Sequence, residues 1–334
     1  MNGVVIIPTG IGCEIGGHAG DANPVVKLFA SLCDNLITNP NAVNASDINE
    51  MPNNVLYVEG SILDRFLRGE IFLKKVYINK ILLVVNSPVV AHTVNSVSAA
   101  RVTIGIDIDI LELATPLRLI AKMKNGKASG DVLGWDDLIE QVNKYEFDAL
   151  AIQTLIEVDK EIAENYLRNG GINPWGGVEA KASKLLANGL DKPLAHSPLD
   201  SGLFDNFKEI VDPRLSAEMV SVSYLHCILK GLSKAPRINY KSGLSYEDID
   251  FLVTPYGCVG EPHWACMKAN IPIICVEENK TCLYDKIPRE FIVVKNYLEA
   301  IGYISCMKAG ININSVRRPL NDTVIIKNII KDVE

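Results

Sequence analysis

A thiol, a carboxylate and an imidazole follow two glycines in the segment LVTPYGCVGEPHW, residues 252–264. Glycine lets backbone N–H groups approach a ligand closely, so this corner between an apolar run and a helical pattern is typical of a binding loop. The positive end of the helix dipole would stabilise a thiolate at Cys258, which could act as a nucleophile or a proton donor. The alternative is a small buried apolar side chain, which is the commonest role of a free cysteine.

The corner at residues 252–264 is the third of three similar corners in the chain. Its other polar residues suit a small ligand better than a metal. Cys258, Glu261, His263 and Cys266 fall within nine residues, but their spacing matches no usual closed zinc site, so we expect no bound metal. Short polar side chains in VEENKT, after the next apolar run, would reach the same crevice and bind hydroxyl or carboxylate groups. The ligand-binding residues predicted for this corner are Gly257, Gly260, Glu261, Glu277, Asn279 and Thr281.

A first corner near the start of the chain has the same design. Asn23 and Pro24 predict the start of a helix, whose N–H groups could bind an anion together with Gly10, Gly12, Gly16 and Gly17. Asp21 is either a catalytic carboxylate or the cap of this helix. His18 is either a proton carrier or a surface imidazole. The glycine spacing matches neither a dinucleotide fingerprint nor a triphosphate loop.

A second corner lies in the middle of the chain. Gly176 and Gly177 precede a helix that carries Glu179 in its first turn, a position that the helix dipole alone could explain. His196 ends the next apolar run, where parallel strands place functional residues. His226 lies in the middle of a helical pattern and is a weaker candidate. The predicted catalytic residues of the chain are therefore Cys258, His18, His196, Glu179 and Asp21.

Apolar runs alternate with helical patterns along the chain, which predicts an α/β fold of mainly parallel sheets covered by helices on both faces. This Rossmann-like fold could comprise two domains, residues 1–120 and 121–334. The predicted strands are Val4–Ile7, Ile81–Val85, Ile106–Leu113, Ala149–Leu155, Pro193–Ala195, Phe251–Thr254 and Ile273–Val276. The predicted helices are Asn23–Asp34, Ala91–Ile104, Trp135–Tyr145, Val178–Asn188, Ser216–Leu229, Val259–Ala269 and Asn296–Ala309.

Composition excludes several classes of protein. The chain has 334 residues, 48% of them hydrophobic, and a net charge of −7 without long basic runs, so nucleic acid is not an expected partner. The start MNGVVIIPTG lacks the features of a signal peptide, and the eight cysteines form no C-x-x-C pair. We therefore expect a cytoplasmic protein that does not bind membranes. The apolar segment TVIIKNIIKDV indicates a possible homodimer contact or a strand of the chain's own sheet.

Segments from nearly the whole chain resemble the family called domain of unknown function 3326. They are IPTGIGCEIGGHAGD, LITNPNAVNA, LYVEGSILDRF, GGVEAKAS, AHSP, GLSKAP, TPYGCVG, VEENKT and NYLEAIG. This resemblance implies membership but no chemistry. The last corner of the family usually resembles GACGG, so Cys258 and Gly260 match it whereas Glu261 and His263 depart from it.

A weaker, local resemblance is to B-type glycosyltransferases and sugar-nucleotide epimerases. Gly16, Gly17, His18 and Pro24 are similar to their N-terminal corner, although the spacing from His18 to Pro24 is longer here. Residues 257–261, followed by Ile-Pro and IICVEE, resemble their C-terminal signature. This resemblance implies that Glu261 would bind a ribose and that residues 257–260 would bind a diphosphate.

The carboxyl ends of parallel strands meet at one edge of a sheet, so we expect the three glycine corners to share a crevice. We predict an enzyme that transfers protons, or adds and eliminates groups, next to a carbonyl or carboxylate of a small anionic metabolite. Such a step belongs to an isomerase, a lyase or a hydrolase. The alternatives are sugar transfer or epimerisation and a protein that only binds a small molecule. The sequence identifies no cofactor.

Overall fold

The computed structural model describes residues 1–18, 21–39, 51–199 and 224–326. Two parallel sheets dominate the fold, which confirms the predicted Rossmann-like α/β class. The strands are β1 Asn2–Val5, β2 Asn35–Thr38, β3 Val55–Tyr57, β4 Phe72–Lys74, β5 Lys80–Asn86, β6 Asp107–Leu113, β7 Arg118–Lys124, β8 Lys127–Leu133, β9 Ala149–Thr154, β10 Ile156–Glu157, β11 Leu194–Pro198, β12 Arg237–Asn239, β13 Phe251–Pro255, β14 Ile273–Val276 and β15 Ile292–Val294. The helices are α1 Asn23–Ala30, α2 Gly60–Leu67, α3 Ala91–Thr103, α4 Trp135–Val142, α5 Lys160–Asn169, α6 Gly176–Leu190, α7 Tyr224–Ser233, α8 Glu261–Lys268 and α9 Tyr297–Lys308.

Sheet I, the larger sheet, combines strands from both ends of the chain. Its order is β15-β14-β13-β1-β2-β3, and every neighbouring pair is parallel. The chain runs outward from β1 to β3 and later returns on the other side of β1 with β13. The order therefore reverses between β1 and β13, as in doubly wound nucleotide-binding sheets, and ligands usually bind near such a reversal.

Sheet II consists of β11-β9-β5-β6, again all parallel, and lies in the stretch between β3 and β13. The hydroxyl of Tyr57 at the edge of sheet I donates to the carbonyl of Leu194 at the edge of sheet II, over 3.1 Å. The predicted division near residue 120 does not separate these sheets, because sheet I needs both ends of the chain and sheet II extends from residue 80 to residue 198.

Apolar side chains cover both faces of the two sheets, because successive residues of a strand point to opposite sides. Val4 of β1 and Leu82 of β5 belong to one core cluster, with residues of α2, α4, α6 and α8. Their neighbours Val5 and Leu83 belong to the other, with residues of α1, α3, α7 and α9. Burial on both faces explains why these strands are apolar throughout.

Two smaller sheets complete the fold. Strands β7 and β8 form an antiparallel hairpin with β10 added beside β7, and β12 pairs antiparallel with β4. The hairpin turns at Asn125 and Gly126, which both have a positive φ.

Some predicted segments fall partly outside the described residues. The start of the predicted helix Ser216–Leu229 lies there, and α7 begins at Tyr224. The end of the apolar segment TVIIKNIIKDV, which suggested a homodimer contact, also lies outside the described residues. Its described residues Val324, Ile325 and Ile326 are exposed.

Candidate functional site

The three glycine corners lie side by side at the carboxyl edge of sheet I. Gly10 of the first corner packs against Gly177 of the second: a Cβ on Gly10 would lie 3.2 Å from the Gly177 nitrogen. Ile11 accepts a backbone hydrogen bond of 2.8 Å from Cys282, which belongs to the segment after β14. The same segment reaches the third corner, where Asp285 donates to the carbonyl of Gly257 over 3.0 Å.

The glycines of these corners allow segments of backbone to pack against each other. A Cβ on Gly177 would lie 2.2 Å from the carbonyl carbon of Ala128 in β8, and one on Gly17 would lie 2.0 Å from the carbonyl oxygen of Cys13. Neither contact is possible with a side chain. The cavity described next is lined by none of the predicted glycines, which are Gly10, Gly12, Gly16, Gly17, Gly176, Gly177, Gly257 and Gly260.

A cavity of about 340 Å³ opens where the carboxyl ends of β1, β2 and β3 face α6 and β11. The first turns of α2 and the start of α8 close its sides. Its lining residues are Ile6, Pro8, Thr9, Asn39, Tyr57, Glu59, Gly60, Ser61, Leu63, Asp64, Glu179, Ala180, Ser183, Lys184, His196 and Pro262. Of the predicted catalytic residues, the cavity brings together Glu179 and His196.

Glu179, His196 and Thr154 form a chain of hydrogen bonds. Nδ1 of His196 lies 2.7 Å from Oε1 of Glu179, and Nε2 lies 2.9 Å from Oγ1 of Thr154. The side chain of His196 is 2% exposed and that of Glu179 is 21% exposed, so the carboxylate is the end of the chain that a ligand can reach. The parallel pairing of β11 with β9 places His196 beside Thr154.

Glu59 is a buried carboxyl group that the sequence did not single out. It precedes α2 as the N-cap, and its Oε2 accepts hydrogen bonds from Ser61 N, Ser61 Oγ and Ile62 N at 2.8, 2.6 and 3.1 Å. Burial raises the pKa of Glu59, although these hydrogen bonds and the nearby charge of Lys184 oppose the change. Among the described residues, Oε1 of Glu59 has no hydrogen-bond partner.

Two further ionisable side chains line the cavity next to Glu59. Burial raises the pKa of Asp64 from 3.8 to about 6, against the opposing charges of Arg68 and Lys184. The ammonium group of Lys184 forms no hydrogen bond or ion pair with any described residue. The described part of the cavity wall therefore combines three carboxyl groups, one imidazole and one ammonium group.

Cys258 does not have the environment predicted for an activated thiolate. Its Sγ donates to the carbonyl of Pro255 over 3.1 Å, and burial raises the pKa of the thiol to about 12. Because burial outweighs the helix dipole, this geometry fits the alternative of a small buried side chain. Cys258 is also absent from the lining of the cavity.

The predicted polar residues of the first corner stabilise the corner itself. His18 is only 3% exposed, and its Nδ1 contacts the hydroxyl of Tyr166 in α5, so a surface imidazole is wrong. Asp21 accepts from the backbone nitrogen of Gly16 and does not cap α1, whose N-cap is Ala22 without a side-chain hydrogen bond.

The predicted polar residues of the third corner also lie outside the cavity. Glu261 is exposed, 3.4 Å from Arg68, and Glu277 is exposed at the end of β14. Asn279 is buried and bonded to the backbone of Ile15 in both directions at 2.9 Å, so it fixes the first corner.

Thr281 and His263 bond to residues of their own corner. Oγ1 of Thr281 accepts a hydrogen bond of 3.0 Å from the backbone nitrogen of Leu283. His263 lies in the first turn of α8, where its Nδ1 accepts from the Gly260 nitrogen over 3.1 Å. Burial lowers the pKa of His263 to about 4. Both side chains therefore stabilise loops.

The sequence contains a signal for the carboxyl residues that were missed. In VLYVEGSILD, an acid follows an apolar run directly, and Ser61 lies three residues before Asp64 at the start of a helix. An acidic residue between a buried strand and a helix start lies at the edge of the sheet where ligands bind. For Lys184, on an exposed helix position, no comparable signal exists.

The described residues contain neither a cluster of metal ligands nor a helix that could span a membrane. Within residues 1–18, 21–39, 51–199 and 224–326, no three His, Cys, Asp or Glu side chains are grouped as metal ligands. Over the same residues, no helix has the length and apolar character needed to cross a bilayer.

Comparison with known proteins identifies relatives along almost the entire chain. The family model described as protein of unknown function (DUF3326) matches residues 2–317. A protein of Synechococcus sp. named uncharacterized lipoprotein is 33% identical over 338 residues, which covers 93% of this chain and 92% of the relative.

The name of this relative contradicts the predicted cytoplasmic location. A lipoprotein is attached to a membrane through a lipid, so the name suggests a membrane-anchored location for the relative rather than the cytoplasm. The expectation of a cytoplasmic location was therefore wrong. The extent of both matches establishes the family: the chain belongs to the DUF3326 proteins of unknown function.

Proposed function

We propose that this protein is an enzyme that transfers protons on a small metabolite next to a carbonyl or carboxylate group. The observation that carries the proposal is the chain Thr154–His196–Glu179, whose carboxylate end faces the cavity between sheet I and α6. An isomerase, a lyase or a hydrolase can each use such a step. The size of the cavity, about 340 Å³, is at the lower end of the usual range for ligand pockets and suits a small substrate.

Glu179 is the proposed general base. An ionised carboxylate only accepts hydrogen bonds, so the proton of a neutral His196 must lie on Nδ1, and Nε2 accepts from the Thr154 hydroxyl. The imidazole thus holds Glu179 in one orientation. The Nδ1–H group also stabilises the negative charge of Glu179 before it accepts a proton, because hydrogen bonds are strong where water is excluded. The Thr154 hydroxyl is itself buried, at 1% exposure, so it is not a nucleophile.

Glu59 is the proposed general acid. Burial raises its pKa, which favours the protonated form, and its Oε1 has no partner among the described residues. Glu179 and Glu59 line the same cavity. Glu179 accepts a hydrogen bond from the imidazole of His196, whereas Glu59 is largely desolvated. Two carboxyl groups with different environments are the usual arrangement for a base and an acid at one site.

Hydrogen exchange into candidate substrates tests this proposal. The protein would be incubated in D₂O with small oxo acids, hydroxy acids and aldoses, and deuterium incorporated next to the carbonyl would be followed by NMR. We expect incorporation by the natural protein and at least a hundredfold slower incorporation by Glu179→Gln, since general bases contribute factors of about 10²–10⁴. Glu161→Gln, which removes an exposed carboxylate from the first turn of α5, is the matched control. Equal rates in both variants would contradict the assignment of the base.

The position of Glu261 argues against the alternative of sugar transfer. Glu261, which that resemblance assigns to ribose binding, is 61% exposed and lies 3.4 Å from Arg68.

A further inference from the structure

Among the described residues that line the cavity, Lys184 is the only lysine or arginine. Cations of the same surface are generally paired: Arg65 contacts Asp191 at 2.6 Å, and Arg68 contacts Glu70 at 2.6 Å. The Lys184 ammonium group, in contrast, has no acidic partner within 4.0 Å in the described part of the chain. An unpaired cation beside carboxyl groups is available to an anionic group of a ligand.

The position of Lys184 on α6 relates it to the proposed base. Glu179, Ala180, Ser183 and Lys184 all line the cavity, so one face of α6 forms this wall. Residues 179 and 184 are five positions apart, which corresponds to about 7.5 Å along a helix axis. Because both side chains line the same cavity, a small ligand bound by the ammonium can also reach Glu179.

The other wall of the cavity does not repel an anion as strongly as its three carboxyl groups suggest. Burial favours the protonated form of both Glu59 and Asp64. The charge of Lys184 acts on both groups, which shows that the ammonium lies within electrostatic range of them. A protonated Glu59 could donate a hydrogen bond to a carbonyl oxygen of the same ligand.

We propose that Lys184 binds the carboxylate of the substrate and that the substrates are small carboxylic acids with an oxo or hydroxy group on a neighbouring carbon. This inference rests on the proposed function and names the substrate class of the same site. The carboxylate forms an ion pair with Lys184, and Glu179 faces the carbon that gives up its proton. This carbon is C2 in a hydroxy acid and C3 in an oxo acid, where C2 is the carbonyl carbon and carries no hydrogen. The cavity volume of about 340 Å³ lies at the lower end of the usual range for ligand pockets, which limits the class to small acids.

Binding of matched acids and amides tests this inference without any turnover. The probes are pyruvate, 2-oxobutyrate and lactate, each compared with its neutral amide by ligand-observed NMR at pH 7.5. We expect at least one acid to bind at least tenfold more tightly than its amide. We also expect Lys184→Gln to remove this preference. Lys181→Gln, on the same helix but with its ammonium on the carbonyl of Gly130 in β8, should keep it within twofold.

Three results would overturn the inference: no binding by any of the acids, equal binding of acids and amides, or an unchanged preference in Lys184→Gln. These outcomes are distinct from a failure of the proposed function. If the acids bind through Lys184 but exchange no hydrogen, the inference stands and the proton transfer fails. If deuterium enters only uncharged carbonyl compounds, the proton transfer stands and the role of Lys184 fails.

Discussion

Nδ1 of His196 lies 2.7 Å from Oε1 of Glu179, and the opposite nitrogen of the same ring lies 2.9 Å from the Thr154 hydroxyl. Two elements of sheet II and one helix meet in this contact, because Thr154 ends β9, His196 lies in β11 and Glu179 begins α6. Each ring nitrogen thus has a partner, and the pair of partners determines the tautomer. The imidazole is therefore locked by its environment before any ligand arrives.

We predict that Thr154→Val removes one of the two hydrogen bonds that hold the His196 ring. Valine has a similar shape but cannot donate to Nε2, which leaves a buried acceptor without a partner and should cost about 1–3 kcal/mol of stability. Because Glu179 still accepts from Nδ1, the ring should keep its Nδ1–H tautomer, while the ¹⁵N shift of Nε2 should change in the variant. Thr103→Val, which removes a hydroxyl 3.1 Å from His226 on the surface, should leave the His196 shifts unchanged. The same Nε2 shift in Thr154→Val as in the natural protein would contradict the assigned hydrogen bond.

A second prediction concerns the contact between the second corner and β8. In Gly177→Ala the new Cβ would lie 2.2 Å from the carbonyl carbon of Ala128, so backbone must move, and we expect a loss of about 2–3 kcal/mol or more. Gly302→Ala, inside α9 with nothing within 4 Å of the new Cβ, should instead gain about 0.5–1 kcal/mol from its better helix propensity. Urea unfolding measures both changes. Surface substitutions usually change stability by less than about 0.5 kcal/mol. A loss below about 0.5 kcal/mol in Gly177→Ala would therefore show that this contact is loose.

A third prediction concerns thiol reactivity. Cys258 is 5% exposed, and burial raises its pKa to about 12, so little thiolate forms near neutral pH. Cys306 in α9 is partly exposed. We expect iodoacetamide at pH 7.5 to alkylate Cys306 at least tenfold faster than Cys258, as measured by peptide mass spectrometry. Faster labelling of Cys258 would restore the activated thiolate that the sequence suggested.

Hydrophobic pattern predicted the central elements of the fold well. The apolar runs at Ala149–Leu155, Phe251–Thr254 and Ile273–Val276 are the buried strands β9, β13 and β14. They were visible because strands buried on both faces are continuously apolar. The hairpin of β7 and β8 was missed, although Asn125-Gly126 between its strands is a strong signal for a two-residue turn.

The organisation of the site was harder to predict, because it depends on contacts between distant segments. Nothing local in the sequence shows that β1 pairs with β13, about 250 residues later, or that the segment after β3 returns to face α6. Glycines drew attention to the three corners, yet at Gly177 the absent side chain makes room for Ala128 rather than for a ligand. His196 and Glu179 were identified from their positions at a strand end and a helix start, whereas Glu59 was not singled out.

The last prediction concerns the pH dependence of stability, through Asp64. Burial raises its pKa from 3.8 to about 6, so between those values the folded protein binds a proton that the unfolded chain releases. Stability contributed by this group is therefore highest below about pH 4 and decreases as the pH rises through about 6. Each unit of difference in pKa corresponds to about 1.4 kcal/mol, so the loss of stability is at most about 3 kcal/mol. Screening by solvent should reduce this loss to about 1–2 kcal/mol.

Asp64→Asn, which carries no charge at any pH, should consequently be more stable than the natural protein by about 1–2 kcal/mol at pH 7.5 and equally stable below pH 4. Urea unfolding at pH 3.8 and pH 7.5 measures the difference. Asp107→Asn, which removes an exposed carboxylate at the start of β6, should change stability by less than about 0.5 kcal/mol at both values. An Asp64→Asn variant that gains nothing at pH 7.5 would mean that the carboxylate is already compensated by Arg68 and Lys184. The wall of the cavity would then carry a full negative charge at this position, and an anionic substrate would depend even more strongly on Lys184.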